Sequence, residues 1–152
     1  MLVLKLVQMI AWMYLFVSEK IAFHAVLSSN IKETTSGQKI VFNQVEINLG
    51  GGYNATTGVF TAPVAGTYVF SLTFGMSQYN SSQSDIGDLF IMKNNVRSLR
   101  VWQLLGSTIT ESTASGTTVL SLNKGDQVHL QAGSAAMAID GGISFLSGFL
   151  LG

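Results

Sequence analysis

The chain has 152 residues, eight basic and eight acidic side chains, a formal net charge of zero and no cysteine. That length suits one domain with a substantial core. The charge balance excludes the dense basic footprint that nucleic acid requires, and the missing thiols exclude a disulfide framework and thiolate chemistry.

In chain order, Lys5 leads a charge-free run from Leu6 to Ser18. A positive leading end before a short apolar stretch reads as a secretory signal peptide over residues 1–18. The run is shorter than the roughly 17–25 residues of a membrane span, so no span is expected in the mature chain. Removal of Lys5 would leave a net charge of −1.

Beyond residue 20 the pattern alternates with a period of two, as strands with one face on a core do. IAFHAVL is the first such strand. In IVFNQVEINLG, Val45, Ile47 and Leu49 oppose Gln44, Glu46 and Asn48. Tyr53 to Phe60 reads as one strand, with a corner at Thr61-Ala62-Pro63, where proline escapes a central ladder. In GTYVFSLTFGMS, Tyr68, Phe70, Leu72, Phe74 and Met76 point to the core. In DQVHLQAG, Val128, Leu130 and Ala132 do the same.

ISFLSGFLLG differs: Ile143, Phe145, Phe149 and Leu151 lie on one face, Leu146 and Leu150 on the other. Apolarity on both faces implies burial on both, in a sandwich or against another subunit. Turn signals such as Gly50-Gly51-Gly52, Lys124-Gly125-Asp126 and Asp140-Gly141-Gly142 separate the strands. No helix follows Gly50-Gly51-Gly52, so it is a turn and not a phosphate loop. Two polar stretches, Ser77–Gly87 and Gly106–Ser115, read as long surface loops. Short strands between frequent turns indicate an all-β sandwich or jelly roll.

Several residues carry candidate chemistry. Arg97, Arg100 and Trp102 in VRSLRVWQ are read as sharing a strand face, and Arg and Trp are typical of recognition sites. Tyr79 adds an aromatic in the first polar loop. Asn54-Ala55-Thr56 and Asn80-Ser81-Ser82 are N-glycosylation acceptors in a secreted chain. Asp85, Asp88, Asp126 and Asp140 are loop carboxylates, for which turn formation competes with calcium ligation. His24 and His129 lie 105 residues apart within strand patterns, and a structural role is expected for both. No nucleophile elbow accompanies them, so the chain is not read as an enzyme.

The spacing of Phe42, Asn48, Tyr53, Phe60, Gly66, Tyr68 and Phe70, followed by GDQVHLQ and the terminal SGFLL, resembles the complement C1q globular-head domain, a relative of the tumour necrosis factor fold. The resemblance covers Ile21 to Gly152, and Leu72 departs from it by standing where an aromatic is usual. It implies a ten-stranded jelly roll that assembles as a homotrimer with its C-terminal strand near the threefold axis. It also implies a secreted pattern-recognition protein that binds microbial surface glycans by multivalency, with Tyr79, Arg97, Arg100 and Trp102 as candidate contacts. A structural or receptor-binding signalling ligand is the alternative. Calcium enters by resemblance alone, with Asp85 and Asp88 as the candidates. The first strand follows Ser18 closely, so no collagen-like stalk is expected before the head.

Overall fold

The alternating sequence pattern becomes two antiparallel sheets packed face to face. A computed structural model describes residues 1–15, 19–78, 83–106 and 110–151, with residues 10–15 described by backbone alone. Helix α1 (Leu2–Leu15) comes first, with Met1–Met9 exposed. No helix among the described residues is long and apolar enough to cross a membrane.

Eleven strands follow: β1 (Ala22–Val26), β2 (Lys39–Ile40), β3 (Gln44–Leu49), β4 (Tyr53–Asn54), β5 (Val59–Thr61), β6 (Gly66–Ser77), β7 (Ile86–Lys93), β8 (Val96–Leu104), β9 (Glu111–Leu122), β10 (Gln127–Ala132) and β11 (Ile139–Leu150). The resemblance implied ten; the structure has eleven among the described residues, β2 and β4 being two-residue strands. The five-stranded sheet runs β3-β1-β11-β6-β9 and the six-stranded sheet β4-β5-β10-β7-β8, with β2 paired to β10.

The core lies between the sheets. Tyr68, Phe70, Leu72, Phe74 and Met76 of β6 are at most 1% exposed, as are Val128, Leu130 and Ala132 of β10. The spaced motif residues meet at one end of this core. Phe23 stacks on Tyr53 at 4.6 Å and on Phe60 at 5.2 Å, and Phe60 meets Tyr68 and Phe70 edge-on, each at 5.6 Å. Such geometry adds to plain area burial. The polar handles are satisfied as well. Tyr53 Oη donates to the Phe42 carbonyl at 2.8 Å, and Tyr68 Oη to the Val64 carbonyl at 2.8 Å. The Asn48 amide clips both backbone groups of Tyr53, accepting from its N–H and donating to its C=O. Gly66 opens β6 opposite Leu122.

Four expectations need correction. Tyr53 to Phe60 is not one strand: β4 and β5 form a hairpin around a turn at 55–58, where Gly58 takes a φ of +67° that suits glycine. Val45 does not share a face with Ile47 and Leu49. An extra residue, Glu46, bulges the strand between the His24–Ile47 and Ala25–Val45 pairs and turns Val45 towards the core. The stretch 106–115 is not all loop, because β9 already begins at Glu111 and pairs with Ser77. Similarly, Ser77 belongs to β6, and Ile86 and Gly87 to β7.

The β7–β8 connection was not marked by any glycine. Asn94 and Asn95 both take positive φ, +47° and +65°, the demand of a two-residue hairpin turn of the primed type. The Asn94 amide then bonds across to Asp126 and to the Gln127 N–H. That fixes the hairpin against β10.

Candidate functional site

Strand β8 is an edge of the six-stranded sheet. Strict alternation cannot place Arg97 and Arg100 on one face, since they are an odd number of residues apart. The structure nevertheless does so by means of a bulge. Ile91 pairs with Leu99 and Met92 with Arg97, so Ser98 is extra. The bulge restores Arg97 to the face that carries Arg100 and Trp102. The shared face was therefore inferred correctly, but for a reason that alternation alone does not supply.

That face is built in rungs across three strands. His129 pairs with Met92 and Met92 with Arg97; Gln131 pairs with Phe90 and Phe90 with Arg100; Asp88 pairs with Trp102. The carboxylate of Asp88, 8% exposed, receives Arg100 Nε at 2.9 Å and Nη2 at 3.0 Å. This two-point bond fixes the guanidinium plane and pushes the Arg100 pKa up, through those hydrogen bonds first and the carboxylate's charge second. The guanidinium lies 5.9 Å from the Trp102 ring, and Trp102 is 57% exposed. Arg97 lies 4.1 Å above the Phe90 ring, within cation–π range. It roofs an aromatic that would otherwise face water. Ile86 and Leu104, a cross-strand pair, extend the exposed face past Trp102.

Sequence reasoning missed Phe90, His129 and Gly133 as parts of this face. Gly133 allows Asp88 and Phe90 to lie down on the sheet: a Cβ there would stand 2.5 Å from Asp88 Oδ2 and from Phe90 Cε2. Burial, and then the nearby Lys39 charge, hold the His129 pKa below its ordinary value, which favours the neutral ring. A signal for Phe90 did exist, in the alternation of Asp88, Phe90 and Met92 against Leu89 and Ile91.

The remaining candidates fall elsewhere. Tyr79 and Asn80 lie outside the described residues. Asp85 accepts from Gln78 Nε2 at 2.8 Å, while Asp88 gives both oxygens to Arg100. Among the described residues no group of three or more His, Asp or Glu side chains comes together. His24 and His129 sit on different sheets and do not meet. His24 Nδ1 bonds Ser147 Oγ at 2.7 Å, and its Nε2 lies 3.8 Å from Glu46. Asn54 is exposed at the β4–β5 turn.

The five-stranded sheet also has an outer face, and it is apolar at one end. Leu49, Ala22, Phe149, Val69 and Val119 form one row across all five strands. Leu49 is 51% exposed, Phe149 45% and Val119 59%, and Ile143 stands on the same side of β11 at 50%. The next rows are hydroxyl-rich, with Ser71 bonded to Thr117 and Thr73 to Ser115, both at 2.8 Å. Thus β11 is apolar on both faces because one packs on the core and the other lies open on this outer face.

Comparison with known proteins agrees with this architecture. The family model described as the C1q domain matches residues 22–151. Human complement C1q tumor necrosis factor-related protein 3 is 36% identical over 133 residues, which cover 87% of this chain and 51% of that protein. One component of the human complement C1q subcomponent is 30% identical over 137 residues, covering 88% of this chain and 51% of the relative. The chain thus spans about half the length of these curated relatives. Among solved structures, the globular domain of the zebrafish complement 1qA protein superposes with a TM-score of 0.71 at 22% identity, covering 88% of this chain and 98% of that one. The Eiger tumour necrosis factor of S. frugiperda gives 0.72 at 14% identity, covering 89% and 94%. With its two-sheet jelly roll, its buried aromatic motif and a family match over nearly every residue after α1, the chain belongs to the C1q domain family.

Proposed function

We propose that this chain is a secreted, homotrimeric binding module that recognises microbial surface glycans. The observation that carries the reading is the division of labour between two outer faces. One is an open apolar row, Leu49–Phe149–Val119, suited to a second and third copy. The other presents Trp102 beside an Arg100 held in place by Asp88. An aromatic ring stacks on the apolar face of a sugar, and a fixed guanidinium donates to hydroxyl or carboxylate oxygens. Three such faces on one particle would raise weak single-site binding by about 10²–10⁴ through linkage.

The test has two steps. Light scattering of the secreted protein should give the mass of three chains, and a glycan and bacterial-surface array should then show binding that Trp102→Ala abolishes. A monomer would remove the multivalent mechanism. A trimer that is silent on the array would remove the glycan.

One observation favours a second reading, that of a receptor-binding signalling ligand. Ile86 and Leu104 are exposed and flank Trp102, and an apolar patch of this kind beside Arg suits a protein partner. Capture of one membrane protein from cell surfaces, unaffected by free sugars, would select that reading.

A further inference from the structure

The turn between β4 and β5 holds an asparagine in an unusual state of readiness. Asn54 Oδ1 accepts the backbone N–H of Thr56 at 2.9 Å and that of Thr57 at 3.1 Å. The Gly58 N–H closes the turn on the Asn54 carbonyl at 2.8 Å. Two backbone donors identify the end of the amide they touch as oxygen, because nitrogen could not accept them. Both hydrogen bonds of the side chain therefore fall on Oδ1, and Nδ2 is the end turned away from the turn. Thr56, two residues on, is exposed, as is Asn54 itself.

From this geometry we infer that Asn54 is an N-glycan attachment site, an inference that rests on the secreted reading. The acceptor triplet Asn54-Ala55-Thr56 alone is a weak signal; the turn that pins Oδ1 and leaves Nδ2 outward is an independent one. The transfer is a substitution at carbon. Nδ2 forms a bond to the anomeric carbon of an oligosaccharide carried on a polyisoprenyl diphosphate. The bond from that carbon to the diphosphate oxygen breaks, the diphosphate leaves with the electron pair, and one Nδ2 proton passes to a base of the transferase.

The fold has room for the product. Strand β4 is the outer edge of the six-stranded sheet, at the opposite end from β8. Four strand spacings of about 4.8 Å place it roughly 19 Å from the Trp102 edge. Beside Asn54 a groove of about 440 Å³ runs between Gly50–Gly52, Pro63 and Gly125, where the first sugars can lie on bare backbone. A glycan here covers a sheet edge that would otherwise be open to pairing with another chain. It leaves free both the apolar row of the five-stranded sheet and the Arg100–Trp102 face.

The experiment expresses the full chain in secreting eukaryotic cells. The secreted protein, untreated or first treated whole with peptide-N-glycosidase, which converts a glycosylated Asn to Asp, is then digested, and the chymotryptic peptide that spans residues 54–60 is read by mass spectrometry. Thr56→Ala removes the acceptor hydroxyl but keeps the N–H that Oδ1 binds, so the turn survives; Thr56→Ser restores the acceptor; Ser82→Ala removes the competing acceptor at Asn80. The expected result is a glycan on residue 54 in the unaltered, Thr56→Ser and Ser82→Ala proteins, and none in Thr56→Ala. Protein in the medium with an unmodified residue 54 overturns the inference and leaves secretion standing. Protein retained in the cytosol overturns both.

Discussion

The carboxylate of Asp88 grips Arg100 at two points, 2.9 and 3.0 Å, and it does so from beneath, so that the guanidinium remains about half exposed next to Trp102. Asp88 is thus a positioning residue and Arg100 the presented one. Asp88→Asn should leave an Arg100 that still carries its charge but no longer holds one orientation. On the glycan-binding reading the expected outcome is weaker capture, by about tenfold or the equivalent of about 1.4 kcal/mol, with the oligomeric state unchanged. Surface plasmon resonance on the captured ligand reads the first, and light scattering the second. An unchanged affinity would make the pair structural only.

Gly133→Ala tests the same arrangement from the opposite side. The added Cβ would meet Asp88 and Phe90 at 2.5 Å, and Asp88 cannot yield without loosening Arg100. Overpacking of this kind costs about 1–3 kcal/mol. Thermal unfolding should show a lower Tm, and capture should weaken alongside Asp88→Asn.

Phe149→Asp should give a folded monomer. The side chain is 45% exposed, so the fold loses little from the change, whereas a trimer packed through the Leu49–Phe149–Val119 row would bury an unpaired charge. Sedimentation or light scattering distinguishes one chain from three, and circular dichroism verifies the fold. A trimer that persists would place self-association elsewhere.

Two buried groups give the stability opposite slopes at the two ends of the pH scale. Burial pushes the Tyr53 phenol up to about 12. A raised pKa means that its contribution is complete below 10.0, the ordinary value, and is lost as pH climbs from there to about 12. His129 is depressed from its ordinary 6.5. Its contribution is present above that value and is lost as pH falls below it. Denaturant titration across pH should show both declines. Tyr53→Phe should remove the alkaline one at a cost of about 1–3 kcal/mol from the unpaired Phe42 carbonyl, and His129→Gln should flatten the acidic one.

Much of this fold was legible from alternation, because a strand with one buried face writes its period into the sequence. Tyr68 through Met76 and Val128 through Ala132 are the clearest examples. The spaced aromatics were legible as a motif, but their mutual stacking through Phe23 was not, since that contact joins residues far apart in the chain. The reading of Val45 failed for a physical reason: at Glu46 one added residue changes which side chains face inward, as another does at Ser98, and composition carries no mark of either. The anchoring of Arg100 was hidden for another reason: Asp88 was read as a loop carboxylate, whereas its strand β7 begins two residues earlier, at Ile86.

The bulge at Ser98 also bears on how this chain can change over time. Replacing Ser98 alters one half-buried side chain at an edge. Deleting it would leave an unbroken ladder, with Leu99 still opposite Ile91 and Arg97 still opposite Met92, so Arg97 would keep its place over the Phe90 ring. The bulge therefore absorbs a residue without changing the face that this hairpin presents. Loss of Ser98 is an alternative route to the same surface, and the length of β8 is under looser constraint than the identity of the side chains it turns outward.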